Sequence, residues 1–206
     1  MEFEPKAGVF KSFCEDAGKP ENKDKKYAFI IDEINRADLS RVFGEAFSLL
    51  EESYRGEFIE TQYSYITGNK FTIPENVYII GTMNDVDRSV ESMDFALRRR
   101  FAWREISAKD SESIIDVADI DQQWKVEAKK RMSSLNDKIA EILESTSYQI
   151  GGAYYKKLEK YKASNDLTEA FKQLWNNHIA VLLHEYLRGI PKSKDKFEEM
   201  KKAFDA

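Results

Sequence analysis

Two kinds of hydrophobic pattern divide the chain. In the first hundred or so residues, short apolar runs end in polar clusters; beyond residue 107 the apolar positions take up helical spacing. The sharpest run is Tyr27-Ala28-Phe29-Ile30-Ile31, followed at once by Asp32 and Glu33. It is too short for a core helix and rich in β-formers, so it predicts a strand buried on both faces, as in a parallel sheet. Val77-Tyr78-Ile79-Ile80-Gly81-Thr82 predicts a second such strand, and residues 101–106 a further one. Before and between them, residues 11–17 and 40–52 show helical faces made of Phe10, Phe13 and Cys14, and of Phe43, Phe47 and Leu50. Residues 54–72 alternate and then turn at Thr67-Gly68-Asn69, which predicts a β-hairpin. A short helix is expected over 92–100, ending in Arg98-Arg99-Arg100.

A Ser-, Asp-, Glu- and Lys-rich linker over 107–113 separates this part from a helical one. Ala128, Met132, Leu135, Ile139 and Ile142 step along one helix, which breaks over 147–152, and residues 153–158 begin another short helix. Asp166-Leu167-Thr168-Glu169 resembles a capping box, and the helix it opens runs through Tyr186 until Gly189 and Pro191 stop it. Phe197, Met200 and Phe204 mark a last amphipathic helix. The expected fold class is therefore α/β plus α, with an α/β lobe over 1–106 and a helical domain over 107–206.

Composition narrows the function classes. With 42% hydrophobic and 33% charged residues, the 206-residue chain is globular. A net charge of −5 argues against broad electrostatic binding of nucleic acid by this segment. A single cysteine, Cys14, permits no internal disulfide. The start of the chain lacks the regions of a signal peptide, and no apolar run approaches the roughly 20 residues of a membrane span. These features lead us to expect a soluble protein of the cytoplasm with no membrane partner. His178 and His184 lie six apart on one predicted helix and face different ways, so no metal pair is expected.

The chemistry concentrates at the ends of the two apolar strands. Ligands of open α/β sheets sit at the carboxyl ends of their strands, where Asp32 and Glu33 emerge. One acid can hold the water shell of Mg²⁺ while the other orients or deprotonates an attacking water, the pattern of a Walker B element. Asn84, at the tip of the second strand, can donate to phosphate and accept from water at once. The plain alternative is a pair of solvated acids at a strand end. For Arg98-Arg99-Arg100 the alternatives are a helix end capped by charge and an arginine finger. Gly18-Lys19 is not a phosphate-binding loop, because Phe13 and Pro20 stand where that motif needs Gly and Ser or Thr.

Taken together, Ile30-Ile31-Asp32-Glu33-Ile34-Asn35-Arg36, Gly81-Thr82-Met83-Asn84-x-x-Asp87-Arg88-Ser89 and Ala96-Leu97-Arg98-Arg99-Arg100-Phe101 closely resemble the McrB family, the AAA+ GTPase subunits of modification-dependent restriction systems. The second block is the most specific. The first is shared with MoxR-type AAA+ ATPase chaperones, which usually continue into an Ala-Thr-Gln-Asn-Pro type sequence that is absent here. The resemblance implies a partial AAA+ nucleotide-binding lobe followed by a helical lid, working with Mg²⁺ and GTP or ATP. Asp32 would be the Mg²⁺-side acid, acting through water, and Glu33 the acid that activates water. Asn84 would be the sensor, with Asp87 and Arg88 completing the signature around the nucleotide. Arg99 and Arg100, rather than Arg98, would be finger candidates acting on the next subunit. In the lid, residues 148–155 resemble the family's Ile-Gly-His-Ser-Tyr segment, but Gly152 and Ala153 depart from it and no contact is carried over. The resemblance further implies a homo-oligomeric ring, a hexamer, with a McrC-like nuclease subunit as partner and DNA read by a domain outside this chain. Family members carry the phosphate loop upstream of the acidic strand. The chain is thus expected to be a catalytic-half fragment with unpaired sheet edges, or else a non-hydrolysing module that docks to intact subunits.

Overall fold

A computed structural model describes residues 6–84, 86 and 95–206. The chain divides into two compact units, Met1–Trp103 and Arg104–Ala206. In the first, helix α1 (Val9–Ala17) precedes strand β1 (Tyr27–Ile31), helix α2 (Leu39–Phe43) and a 3-10 segment (Gly44–Leu50). A one-turn helix α3 (Ser64–Thr67), strand β2 (Val77–Gly81) and a one-turn helix α4 (Phe95–Arg98) follow.

The two strands pair in parallel, with Tyr27 opposite Val77 and Ile31 opposite Gly81. A parallel pair needs a long crossover, which residues 32–76 supply. Alternation puts Tyr27, Phe29 and Ile31 on one face, where α1 covers them. Phe10 and Phe13 meet Phe29 edge-on at 4.9 and 5.1 Å between ring centroids. The other face stays open: Ile30 is 66% exposed, and Tyr78 and Ile80 are about half exposed. The expectation of strands buried on both faces is thus corrected. A two-stranded sheet with α1 on one side leaves every second side chain uncovered.

Three other segments differ from their sequence pattern. Over 40–52 the helix starts at Leu39, with Asp38 Oδ1 accepting from the Arg41 amide at 3.2 Å, and ends after Phe43. Gly44 takes a φ of +50°, open to glycine but strained for other residues, and the chain continues as 3-10 helix. The hairpin over 54–72 shrinks to one antiparallel bridge, in which Ile59 and Phe71 exchange two 2.9 Å hydrogen bonds. Its tip winds into α3 instead, because the Ser64 hydroxyl accepts from the Thr61 amide at 2.9 Å and starts a helical turn. Finally, residues 101–106 form no strand; Trp103 turns back to donate its indole N–H to the Arg98 carbonyl at 2.8 Å.

The second unit is helical: α5 (Ser113–Asp116), α6 (Gln122–Leu143), α7 (Gly152–Lys156), a 3-10 stretch (Lys157–Ser164), α8 (Leu167–Leu174), α9 (Ala180–Tyr186) and α10 (Ser193–Asp205). The buried stripe Ala128, Met132, Leu135 and Ile139 of α6 shares a core with Phe171, Leu174, Leu183, Met200 and Phe204. Asp166 caps α8 by accepting from the Thr168 and Glu169 amides at 2.9 and 3.2 Å. The single helix expected from 167 to 186 is widened by a π turn over Trp175–Ile179. That extra residue keeps both Trp175 and Ile179 in the core, while His178 and Asn177 reach the Tyr161 hydroxyl at 2.9 and 3.2 Å. No helix among the described residues is long and apolar enough to cross a membrane.

Asn136 is the buried polar residue of this unit that holds a loop in place. Its Nδ2 donates to the Ile150 carbonyl at 3.0 Å, and its Oδ1 accepts from the Ile150 amide at 2.7 Å. Removing it strands a buried donor and a buried acceptor together. Asn136→Ala should therefore cost about 2–4 kcal/mol, read as a lowered midpoint of urea unfolding with an unchanged slope.

Candidate functional site

Because Ile31 and Gly81 lie opposite one another, both strands end at the same level, and their polar continuations meet there. Asp32 and Glu33 turn out of β1, and Thr82, Met83 and Asn84 leave β2. Asp32, Glu33 and Asn84 are all exposed, as a site open to a soluble ligand requires. Glu33 takes a left-handed backbone conformation, φ 51° and ψ 51°, which is unfavourable for a residue with a Cβ. It is held there by bonds to β2: the Ile34 amide donates to the Thr82 carbonyl at 2.8 Å, and the Glu33 amide to the Thr82 hydroxyl at 3.2 Å.

The acids have different surroundings. Asp32 Oδ1 accepts a short 2.5 Å bond from the Thr82 hydroxyl. The Glu33 carboxylate forms an ion pair with Arg36, one helical turn on. Asn35 follows in the turn after β1: its Nδ2 donates to the Asn84 carbonyl at 3.3 Å, and its buried Oδ1 has no hydrogen-bond partner among the described residues. Asn84 Oδ1 accepts from the Val86 amide at 3.2 Å, which orients the side chain at the strand tip.

Three of the predicted residues, Asp32, Glu33 and Asn84, are thus brought together. Asp87 and Arg88 lie outside the described residues. Arg99 and Arg100 diverge. Arg100 is only 19% exposed at its side chain; its Nε lies 3.3 Å from Glu51, its Nη1 donates to the Ala96 carbonyl at 2.5 Å, and its guanidinium sits 4.4 Å from the Phe47 ring centre. Arg98 covers the Trp103 ring at 5.4 Å. Arg99 is exposed, and its side chain has no hydrogen bond, ion pair or cation–π contact among the described residues. Thr82, Asn35 and Arg36 carry much of the site's geometry, and the sequence pattern assigned none of them a role. Their signal was adjacency: each falls within one of the polar clusters that close a strand.

Other chemistries find less support. Burial pushes the Cys14 thiol up to about 12, partly offset by Arg55, so it stays protonated and packs as an apolar group. Among the described residues no three His, Cys, Asp or Glu side chains gather to hold a metal. Asp32 instead suits the indirect role that Mg²⁺ favours, with few protein ligands and a retained water shell, since one carboxylate oxygen is fixed and the group is exposed. A groove of about 500 Å³ beside Val9, Phe10, Val42 and Tyr63 lies in the same unit but contains none of these site residues.

Residues 5–101 match the model of the AAA domain, dynein-related subfamily. Over 203 residues, 95% of this chain, the sequence is 36% identical to the type IV methyl-directed restriction enzyme EcoKMcrB subunit of Escherichia coli (strain K12), covering 44% of that protein. Over 106 residues, 46% of this chain, it is 30% identical to the type II restriction enzyme BsuMI component YdiS of Bacillus subtilis (strain 168), covering 31% of it. The chain thus spans less than half the length of these two relatives.

The contrast between the arginines yields a measurable difference. Arg100→Ala removes a cation–π contact, a packed stem and a partly screened ion pair, and should lower the stability of the first unit by about 1–2 kcal/mol. Arg99→Ala should stay within about 0.5 kcal/mol of the parent chain. Parallel denaturation of the two variants, followed by amide hydrogen exchange of β1 and β2 in the first unit, reads the difference.

Proposed function

We propose that this chain, a homologue of the McrB subunit with an AAA domain fragment in its first half, is the water-activating part of a nucleoside triphosphatase motor in a DNA restriction system. The observation that carries the reading is the convergence of Asp32, Glu33 and Asn84 at the ends of two adjacent parallel strands. In this reading Glu33 orients and deprotonates the attacking water, and Asn84 holds that water or the terminal phosphate. Asp32 would hold the water shell of Mg²⁺, which when bound neutralises charge on the phosphates. The phosphates themselves would rest on a glycine-rich loop of the working subunit. The nucleotide would be GTP or ATP. Around the nucleotide Asp87 and Arg88 would complete the family's signature.

The working form is a ring of like subunits, a hexamer by family likeness, that acts in the cytoplasm with a McrC-like nuclease subunit. DNA would be read by a domain outside this chain. Arg99 is the residue offered to the neighbouring subunit's nucleotide, because its side chain is exposed and has no hydrogen bond or ion pair among the described residues. Arg100 secures the helix end from which Arg99 projects.

The test uses a subunit that carries this chain together with a phosphate-binding loop. Glu33→Gln should keep nucleotide affinity and lose turnover by about 10²–10⁴-fold, since the amide keeps the shape without the base. Unchanged hydrolysis would reduce Glu33 to a strand-end residue. Arg99→Ala should lose roughly 10³–10⁵-fold in turnover with folding and nucleotide binding intact. Mixing the two variants should restore part of the activity, because some interfaces then join an intact Glu33 to an intact Arg99. A loss of only a few-fold in Arg99→Ala would leave the arginine as a charged helix end.

A further inference from the structure

All three polar groups of Thr82 engage the turn that carries the two acids. Its amide donates to the Ile31 carbonyl at 2.9 Å, and its carbonyl accepts from the Ile34 amide at 2.8 Å. Its hydroxyl accepts from the Glu33 amide at 3.2 Å and donates to Asp32 Oδ1 at 2.5 Å. A hydroxyl has one proton and two lone pairs, so it can satisfy both contacts at once. Gly81 allows the approach: a Cβ there would stand 2.7 Å from Ile34 Cδ1 and 3.0 Å from Cγ2.

We infer that Thr82 is a positioning residue for hydrolysis, its hydroxyl locking the Asp32 carboxylate and the left-handed Glu33 backbone into one arrangement. The inference rests on the roles given above to Asp32 and Glu33. Capturing the Glu33 amide offsets the intrinsic cost of its backbone conformation, and that conformation sets the direction in which the Glu33 side chain leaves the strand. Fixing one oxygen of Asp32 removes the carboxylate's rotational freedom and leaves the other oxygen toward solvent. Without the hydroxyl the turn is still tied by the Thr82 backbone, but both acids gain freedom where a misplacement of about 1 Å can cost about 10²-fold in rate. The hydroxyl does not itself contact the triphosphate, so turnover should suffer far more than affinity.

Thr82→Val keeps the shape and deletes the hydroxyl, whereas Thr82→Ser keeps the hydroxyl and deletes a methyl group. In a subunit carrying this chain and a phosphate-binding loop, steady-state hydrolysis and equilibrium nucleotide binding are measured for both, with Glu33→Gln alongside. The expected result is a fall of about 10–100-fold in kcat for Thr82→Val, with nucleotide Kd within about two-fold. Thr82→Ser should return kcat to within a few-fold of the parent. The inference is overturned if Thr82→Val turns over normally, if Thr82→Ser is as slow as Thr82→Val, or if Kd weakens in step with kcat. Should Thr82→Val fail to fold, Thr82→Ala deletes the same hydroxyl without the β-branch and is judged by the same criteria. Glu33→Gln separates the two levels: normal turnover there defeats the acid assignment itself, whereas its loss beside a normal Thr82→Val defeats only the role of Thr82.

Discussion

The parallel register between β1 and β2 is the constraint from which the candidate site follows. With Ile31 opposite Gly81, the residues leaving the two strands have no further ladder to join and must satisfy their backbone groups on each other. That need explains why Thr82 bonds the backbone of residues 31, 33 and 34. It also explains why Asn35 reaches the Asn84 backbone. A slip of one position would move the alternating side chains to opposite faces, uncovering Phe29 and drawing the acids away from Thr82. The packing of Phe10 and Phe13 on Phe29 thus helps hold the polar cluster in place from the middle of the strand.

The sequence revealed most where one local signal dominated. Asp32 and Glu33 follow an apolar run so abruptly that their place at a strand end was legible, and the α6 stripe gave its buried residues directly. The capping of α8 by Asp166 was equally plain. What it concealed depended on partners distant in sequence or on the number of strands. Apolar residues at every position of β1 suggest two covered faces, yet only the number of strands and the helices beside them decide whether Ile30 is covered. Likewise the alternation over 54–72 suits a hairpin, but Ser64 offers the backbone a local bond that wins at the tip. Thr82 remained inconspicuous because a threonine at the end of a strand is ordinary until its hydroxyl is seen between Asp32 and Glu33.

The arginine run shows the same limit within three identical residues. Arg98, Arg99 and Arg100 carry the same charge and the same helix-end position in the sequence. In the folded unit Arg98 lies on an indole, Arg100 on a phenyl ring and beside a carboxylate, and Arg99 on neither. A guanidinium already engaged by Glu51 and Phe47 would have to give up those contacts to reach a neighbour, which weighs against a trans role. An exposed guanidinium gives up only hydration. The geometry therefore ranks the candidates where composition and spacing do not. It does so by the ordinary rule that a group must be released before it can bind elsewhere.

The Glu33–Arg36 pair raises the opposite question, since it engages the very carboxylate assigned to activate water. Here exposure decides. Both side chains are substantially open to solvent, 46% for Glu33 and 59% for Arg36. Ion pairs of that kind contribute only about 0–1 kcal/mol, because water screens them and two long side chains lose freedom in forming them. Such a pair can hold Glu33 in one rotamer without withholding it from a substrate. In the proposed function a bound triphosphate and its water would exclude bulk solvent, and the same carboxylate would act in a lower dielectric, where electrostatic interactions are stronger. The backbone around the acid is therefore held by bonds to Thr82, while its side chain has one weak pair among the described residues. That division of constraint is what a base needs if it must keep its place and still change partners.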